Sequence, residues 1–152
     1  SHPALSEEDF PRVFHYISRS RYLAACRNLL SRGWVVHSFD QQEFSDYYIR
    51  ENRYLAVKQD DLIKGVLLFS CSHYREIFWI SFLEADTREF SLELLRQAVN
   101  LAILQKKTEV TLLIPDQSEL LSLTAEMGFR SWEREQDFLI FAYPLAKLEQ
   151  WR

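Results

Sequence analysis

The residues able to do chemistry on their own are few and scattered. His15, His37 and His73 stand in three separate segments without His-x-x-x-His or similar spacing, so they do not read as a metal site. Each reads as a surface or half-buried polar residue, and His37, after Val35-Val36, is the one a strand end could turn toward a cleft as a base. Cys26 and Cys71 share no Cys-x-x-Cys spacing, which excludes a zinc knuckle or a dense disulfide framework and fits a reduced, cytoplasmic setting. Neither sits in an arrangement that would activate a thiolate nucleophile. Arg12, Arg19, Arg21, Arg27 and Arg32 fall within residues 11–39, a stretch with no Asp or Glu. Such a run is ordinarily a solvated helix face; its sharper reading is a surface for an anionic ligand or an acidic partner domain.

Composition narrows the classes further. Only 3 of 152 residues are Gly, so no glycine-rich loop of the Walker or dinucleotide-binding kind can be written. The 22 acidic residues outnumber the 18 basic ones, which argues against a general affinity for nucleic acid or anionic lipid. Apolar runs such as 65–69 fall far short of the about 20 residues that cross a bilayer. Residues 1–152 read as one domain with a sizeable core. Ser1-His2-Pro3 reads as an expression-tag remnant on a piece of something longer.

The elements that must position any site follow from periodicity. Tyr22, Leu23, Cys26, Leu29 and Leu30 recur at helical spacing and predict a helix over 20–32 stopped by Gly33. Residues 34–39 are β-rich, and 41–50 suggest a weak helix. Tyr54 to Val57 and Leu62 to Ser70 flank a polar turn and predict a hairpin. After a turn-like segment at 72–76, Ile77 to Leu83 is nearly continuously apolar, as a mid-sheet strand covered on both faces requires. A helix over 91–105 is capped by Ser91, and a strand over 109–114 is stopped by Pro115. The capping-box pattern Asp116 to Glu119 opens a short helix that ends at Gly128, and strands follow at 129–132 and 138–143 around a turn at 133–137. Strand-helix-strand units imply parallel pairing in the middle of a mixed sheet.

This order, with the Ala125-Glu126-Met127-Gly128-Phe129 ending of the short helix, resembles the GNAT superfamily of acetyl-CoA-dependent N-acetyltransferases over about residues 20–145. The resemblance implies an α/β (α+β) fold: a mixed, mostly antiparallel sheet with a central parallel pair and helices on both faces. It implies acetyl-CoA as co-substrate, with backbone amides of Phe82, Leu83 and Glu84 along its pantetheine arm. The family's Arg/Gln-x-x-Gly-x-Gly/Ala loop, whose N–H groups hold a pyrophosphate at a helix N-terminus, would fall on 85–93. There Arg88 can fill the first place and Phe90 and Ser91 follow, but no glycine is present, and Asp86, Glu89 and Glu93 put negative charge where a polyanion approaches. The family's proton-donating Tyr is replaced by Thr124, a far weaker acid. Glu84 and Glu76 flank the central strand and are the candidate bases for the incoming amine, Glu84 first.

Two functions follow from this reading. The first is acetyl transfer from acetyl-CoA to a primary amine of a small molecule or peptide despite a degenerate loop. The second is a non-catalytic GNAT-like module that binds a substrate or pairs with a second GNAT-like domain or a second copy; the degenerate loop and tag remnant resemble the second half of a two-domain protein. An open notch at 85–93 with free N–H groups favours the enzyme, whereas Phe90 or Glu89 filling it favours the binding module.

Overall fold

The structure, a computed structural model, describes residues 5–33, 35–71, 76–115, 119–135 and 138–144. Its centre is a 6-stranded sheet built from β3 (Tyr54–Gln59), β4 (Leu62–Cys71), β5 (Ile77–Ala85), β6 (Glu109–Pro115), β7 (Arg130–Glu135) and β8 (Phe138–Pro144). The spatial order is β3-β4-β5-β6-β8-β7, with β5 and β6 parallel and every other neighbouring pair antiparallel. This is the mixed sheet with a central parallel pair that the strand-helix-strand order predicts. The β3–β4 turn closes on Asp60 and Asp61, both at positive φ, where short polar side chains are tolerated.

Each face of the sheet buries its own core. On one face Leu67, Phe69, Phe78, Ile80 and Leu83 pack against α4 (Arg88–Leu104) and α5 (Leu120–Met127). On the other, Val66, Leu68 and Phe82 pack against α1 (Phe10–Ser18), α2 (Arg21–Ala25), the hairpin of β1 (Leu29–Arg32) and β2 (Val35–Ser38), and the helix that begins at α3 (Gln41–Glu43) and continues as a π-helix over Phe44–Ile49. Phe78 and Ile80 share a face with Leu83, not Phe82, because Ser81 is an extra residue in β5: Phe69 pairs with Ile80 and Leu68 with Phe82. Ser81 and Phe82 therefore turn to the α2 face, and the Ser81 hydroxyl donates to Ser70 Oγ at 3.1 Å. A bulge of this kind bends the strand that carries it.

Several boundaries differ from expectation. The helix predicted over 20–32 stops at Ala25, because Arg27 and Asn28 take left-handed backbone and the chain turns into β1. Leu30 is buried from a strand rather than from a helix face. The long helix starts three residues before Ser91; Thr87 is its cap, accepting from the Phe90 N–H at 3.2 Å, and Ser91 is buried inside the first turns. The segment 133–135 is strand rather than turn. Gly128 stops α5 at φ 95°, as predicted, whereas residues 116–118 of the predicted capping box, residues 72–75 with His73, and Ser1 to Pro3 lie outside the described residues. The helix α1 corresponds to no expected element, although Val13, Tyr16 and Ile17 bury one side of it.

Helix α1 is tied to the sheet by a buried carboxylate. Asp9 accepts from Ser6 N and lies 3.0 Å from the Lys58 ammonium of β3. These bonds hold its carboxyl below the ordinary aspartate range, with the Ser6 backbone bond the largest cause. The folded-state value is depressed, so the stabilisation is fully present above the unfolded value and is lost as pH falls through the folded one. Asp9→Asn is expected to cost on the order of 3 kcal/mol at pH 7, because it leaves Lys58 with only the exposed Asp61 carboxylate, 3.8 Å away, as a charge partner. Thermal melts of both proteins from pH 7 to pH 3 should converge toward the acid end.

Candidate functional site

The site begins where the sheet comes apart. Strands β5 and β6 are paired only from Ile77↔Glu109 to Ile80↔Leu112, yet β5 runs on to Ala85 and β6, held by β8, to Pro115. The last shared pair sits beside the Ser81 bulge, so the bulge is where β5 bends away. Among the described residues, no strand faces the 81–85 edge of β5 on the β6 side. Alternate residues of such an edge direct N–H and C=O groups into the gap, ready to pair with an extended ligand.

Helix α2 lies along this split. The two oxygens of Glu84, on β5, accept from the Tyr22 N–H at 2.9 Å and the Arg21 N–H at 3.3 Å, at the start of α2. From the same helix the Tyr22 hydroxyl donates to the Leu113 carbonyl of β6, the first residue past the last parallel pair. A phenol thus satisfies a carbonyl beside which the parallel pairing has ended. The Tyr22 ring also meets Phe82 edge-on, centroids 5.1 Å apart.

A cavity of about 370 Å³ lies against the split, walled by Leu83, Glu84 and Ala85 of β5, Tyr22 of α2, Ser91 of α4 and Leu123 of α5. Its opening reaches the N-terminus of α4, where Thr87 and Arg88 also line it. Glu89 and Phe90 do not border it; Phe90 is turned onto the core under α4. The notch at 85–93 is therefore open, although the Thr87 hydroxyl occupies the Phe90 N–H.

The predicted site residues are brought together unequally. Leu83, Glu84, Arg88 and Ser91 line the cavity. Phe82 is fully buried under Tyr22, and Phe90 is half-buried in the core, so neither presents its side chain to it. Glu76 is exposed at the opposite end of β5, where its carbonyl accepts from Thr108 N, so the strand's length separates it from the cavity. Arg88 pairs with Glu126 of α5. Thr124 is fully buried, and its hydroxyl donates back to the Leu120 and Leu121 carbonyls of its own helix. Asp86 accepts from the Tyr16 hydroxyl at 2.9 Å and lies 3.7 Å from Lys64, which partly balances its charge.

Electrostatics single out Glu84. Burial pushes its carboxyl above the ordinary glutamate range, an effect that the two α2 N–H groups and nearby Arg21 only partly offset. A half-buried carboxylate at a cavity wall is where a base would have to stand. Cys26, by contrast, is pushed up to about 12 by burial and is inert. Among the described residues no group of His, Cys, Asp or Glu could hold a metal ion. Of the arginines of 11–39, Arg12 donates to the Asp61 carbonyl, Arg32 is paired with Glu43 at 2.6 Å over the Tyr47 ring, and Arg21 lines the cavity. His15 is exposed, and His37 borders a separate shallow hollow with Arg32 and Tyr47. Tyr22 and Thr87 line the cavity and were not singled out by sequence reasoning; Tyr22 carries the signal of a helix core position and nothing more.

Comparison with known proteins bears on this arrangement. No family model and no curated protein matches the sequence. Solved structures do match the fold. Ribosomal-protein-alanine N-acetyltransferase from Brucella melitensis superposes with a TM-score of 0.69 at 15% identity, over 93% of this chain and 98% of that one. N-acetylglutamate synthase from Neisseria gonorrhoeae, solved with coenzyme A and N-acetyl-glutamate, gives 0.69 at 14% identity. The fold is that of the GNAT N-acetyltransferases. The PaiA N-acetyltransferase of Thermoplasma acidophilum, in complex with coenzyme A, gives 0.65 at 14% identity over 93% of this chain and 96% of that one. The match to the Neisseria synthase covers 93% of this chain but only 34% of that protein, so this chain spans about a third of its length. No helix among the described residues of this GNAT-fold chain is long and apolar enough to cross a membrane.

Proposed function

We propose that this chain is an acetyl-CoA-dependent N-acetyltransferase acting on a primary amine of a small molecule or peptide, in a reducing cytoplasmic setting. One observation carries the reading: the edge of β5 at 81–85, which no strand among the described residues pairs on the β6 side, borders a cavity that joins Glu84 to the N-terminus of α4. Backbone groups of Phe82, Leu83 and Glu84 pair with the pantetheine arm as an added strand would, a contact that needs no particular side chain. Arg88, Ser91 and the α4 N-terminus meet the pyrophosphate. The amine nitrogen attacks the thioester carbonyl carbon, the C–N bond forms as the C–S bond breaks, and Glu84 takes the proton the nitrogen loses. The sulfur departs as thiolate, since Thr124 faces its own helix.

Coenzyme A in two of the neighbouring structures supports this reading. So does the open notch. The Arg88–Glu126 pair favours a second reading, in which the phosphate cation is committed elsewhere and the chain is a non-catalytic module that binds substrate or pairs with a second GNAT-like domain or a second copy. Titration calorimetry at moderate salt separates the two. Micromolar binding of acetyl-CoA and CoA is the enzyme's result, and no binding at millimolar ligand is the module's. Arg88→Gln is expected to weaken acetyl-CoA about tenfold or more, the scale of a lost charge-assisted hydrogen bond. Its cost to folding should stay below about 1 kcal/mol, because both partners of its ion pair are exposed.

A further inference from the structure

We propose that Tyr22 closes the inner end of the acyl site and restricts the thioester to an acetyl-sized group, an inference that rests on acyl-CoA binding in the β5/β6 split. The split has a definite apex. Pairing ends at Ile80↔Leu112, and the next residues on either side are Ser81 and Leu113. Tyr22 lies across that apex, its ring against Phe82 of β5 and its hydroxyl on the Leu113 carbonyl of β6.

An acyl chain entering the gap thioester-first points toward the apex and meets this phenol. The ring cannot retreat readily. It is itself buried, in the same core cluster as the buried Cys26 and the fully buried Tyr48. Its own backbone is fixed by the Tyr22 N–H bond to Glu84, the group that takes the amine proton, so one residue sets both the depth of the acyl site and its distance from the base. Ala25, Leu83 and Leu123 add apolar wall to the same cavity, as an acyl group requires. A rigid wall that rejects an extra methylene by overlap discriminates more strongly than a pocket that merely fails to fill.

The test titrates acetyl-CoA, butanoyl-CoA and hexanoyl-CoA into the unaltered chain, Tyr22→Phe, Tyr22→Leu and Tyr22→Ala, with circular dichroism confirming that each is folded. The unaltered chain should prefer acetyl-CoA over hexanoyl-CoA by about tenfold or more. Tyr22→Phe keeps the ring and should keep the preference. Tyr22→Leu and Tyr22→Ala should bring the longer thioesters to within a few-fold of acetyl-CoA or invert the order. Equal binding of acetyl-CoA and hexanoyl-CoA by the unaltered chain overturns the proposal, as does an unchanged ratio in a folded Tyr22→Leu. Acetyl-CoA binding with either of those results leaves the acyltransferase reading standing; failure of every thioester to bind removes both.

Discussion

Glu84→Gln is expected to lower the proposed acetyl transfer by about 10²–10³-fold at neutral pH, the usual contribution of a positioned base, while the KM for acetyl-CoA stays within a few-fold. The difference follows from the proposed mechanism, in which the amine proton goes to the Glu84 carboxylate whereas the pantetheine contacts are backbone groups that the substitution leaves in place. The pH profile supplies a second signature. Burial raises the Glu84 carboxyl above the ordinary glutamate range, so kcat/KM should rise with pH through that raised value, and the limb should vanish in the variant. The stability effect has the opposite sign to that of Asp9. The folded-state value lies above the unfolded one, so this group's contribution is fully present below the unfolded value and is lost as pH rises through the folded value. Glutamine also places its amide nitrogen against one of the two α2 N–H groups, which should cost about 1–2 kcal/mol. A variant with wild-type rate would remove Glu84 from the chemistry and leave it as a brace for α2.

Gly65→Val is expected to destabilise the fold by on the order of 3 kcal/mol and to weaken acetyl-CoA binding in whatever protein remains folded. Gly65 pairs with Ala85 across β4 and β5, beneath α4. A Cβ there would stand 2.9 Å from the Ala85 Cβ and 3.0 Å from Leu94 Cδ1, closer than packed carbons approach. The demand is for proximity alone, since Gly65 is not among the residues at positive φ. Relief has to come from moving β5 at Ala85 or lifting the first turns of α4, and both border the cavity. Urea unfolding of Gly65→Ala and Gly65→Val should show a graded loss, with alanine the milder. A neutral valine would mean that this contact between sheet and helix is slack.

These two residues also mark how much was legible beforehand. The strands and long helix of residues 54–143 could be read from apolar runs and periodicity, because each buries a regular face: β5 as a continuous apolar strand, α4 through Leu94, Leu95, Ala98 and Ala102. The cap of α4 was misplaced because Thr87 and Ser91 are both plausible caps one turn apart, and only the backbone shows which is extended. Helix 20–32 was overextended because Leu29 and Leu30 fit a helical face as well as a strand, and the left-handed turn at Arg27 and Asn28 has no composition signal. The place of Glu84 at the cavity wall could be anticipated from the sequence, for a carboxylate ends an apolar strand in a recognisable order. Tyr22 could not, because its role depends on a split 91 residues further along the chain, and nothing local distinguishes a phenol bound to a distant carbonyl from one packed in a core. Glu76 lies apart from the cavity for the converse reason: it flanks the same strand as Glu84, but at the end where β5 and β6 are still joined.

The central claim is that the free edge of β5 is where an acyl-CoA lies, and amide hydrogen exchange with and without acetyl-CoA tests it most directly. The account predicts that amides among Phe82, Leu83, Glu84 and Ala85 that face the gap slow markedly on adding acetyl-CoA, while Ile77 to Ile80, already paired to β6, change little. Binding that leaves residues 82–85 exchanging at their free rate, with protection appearing elsewhere, would contradict it.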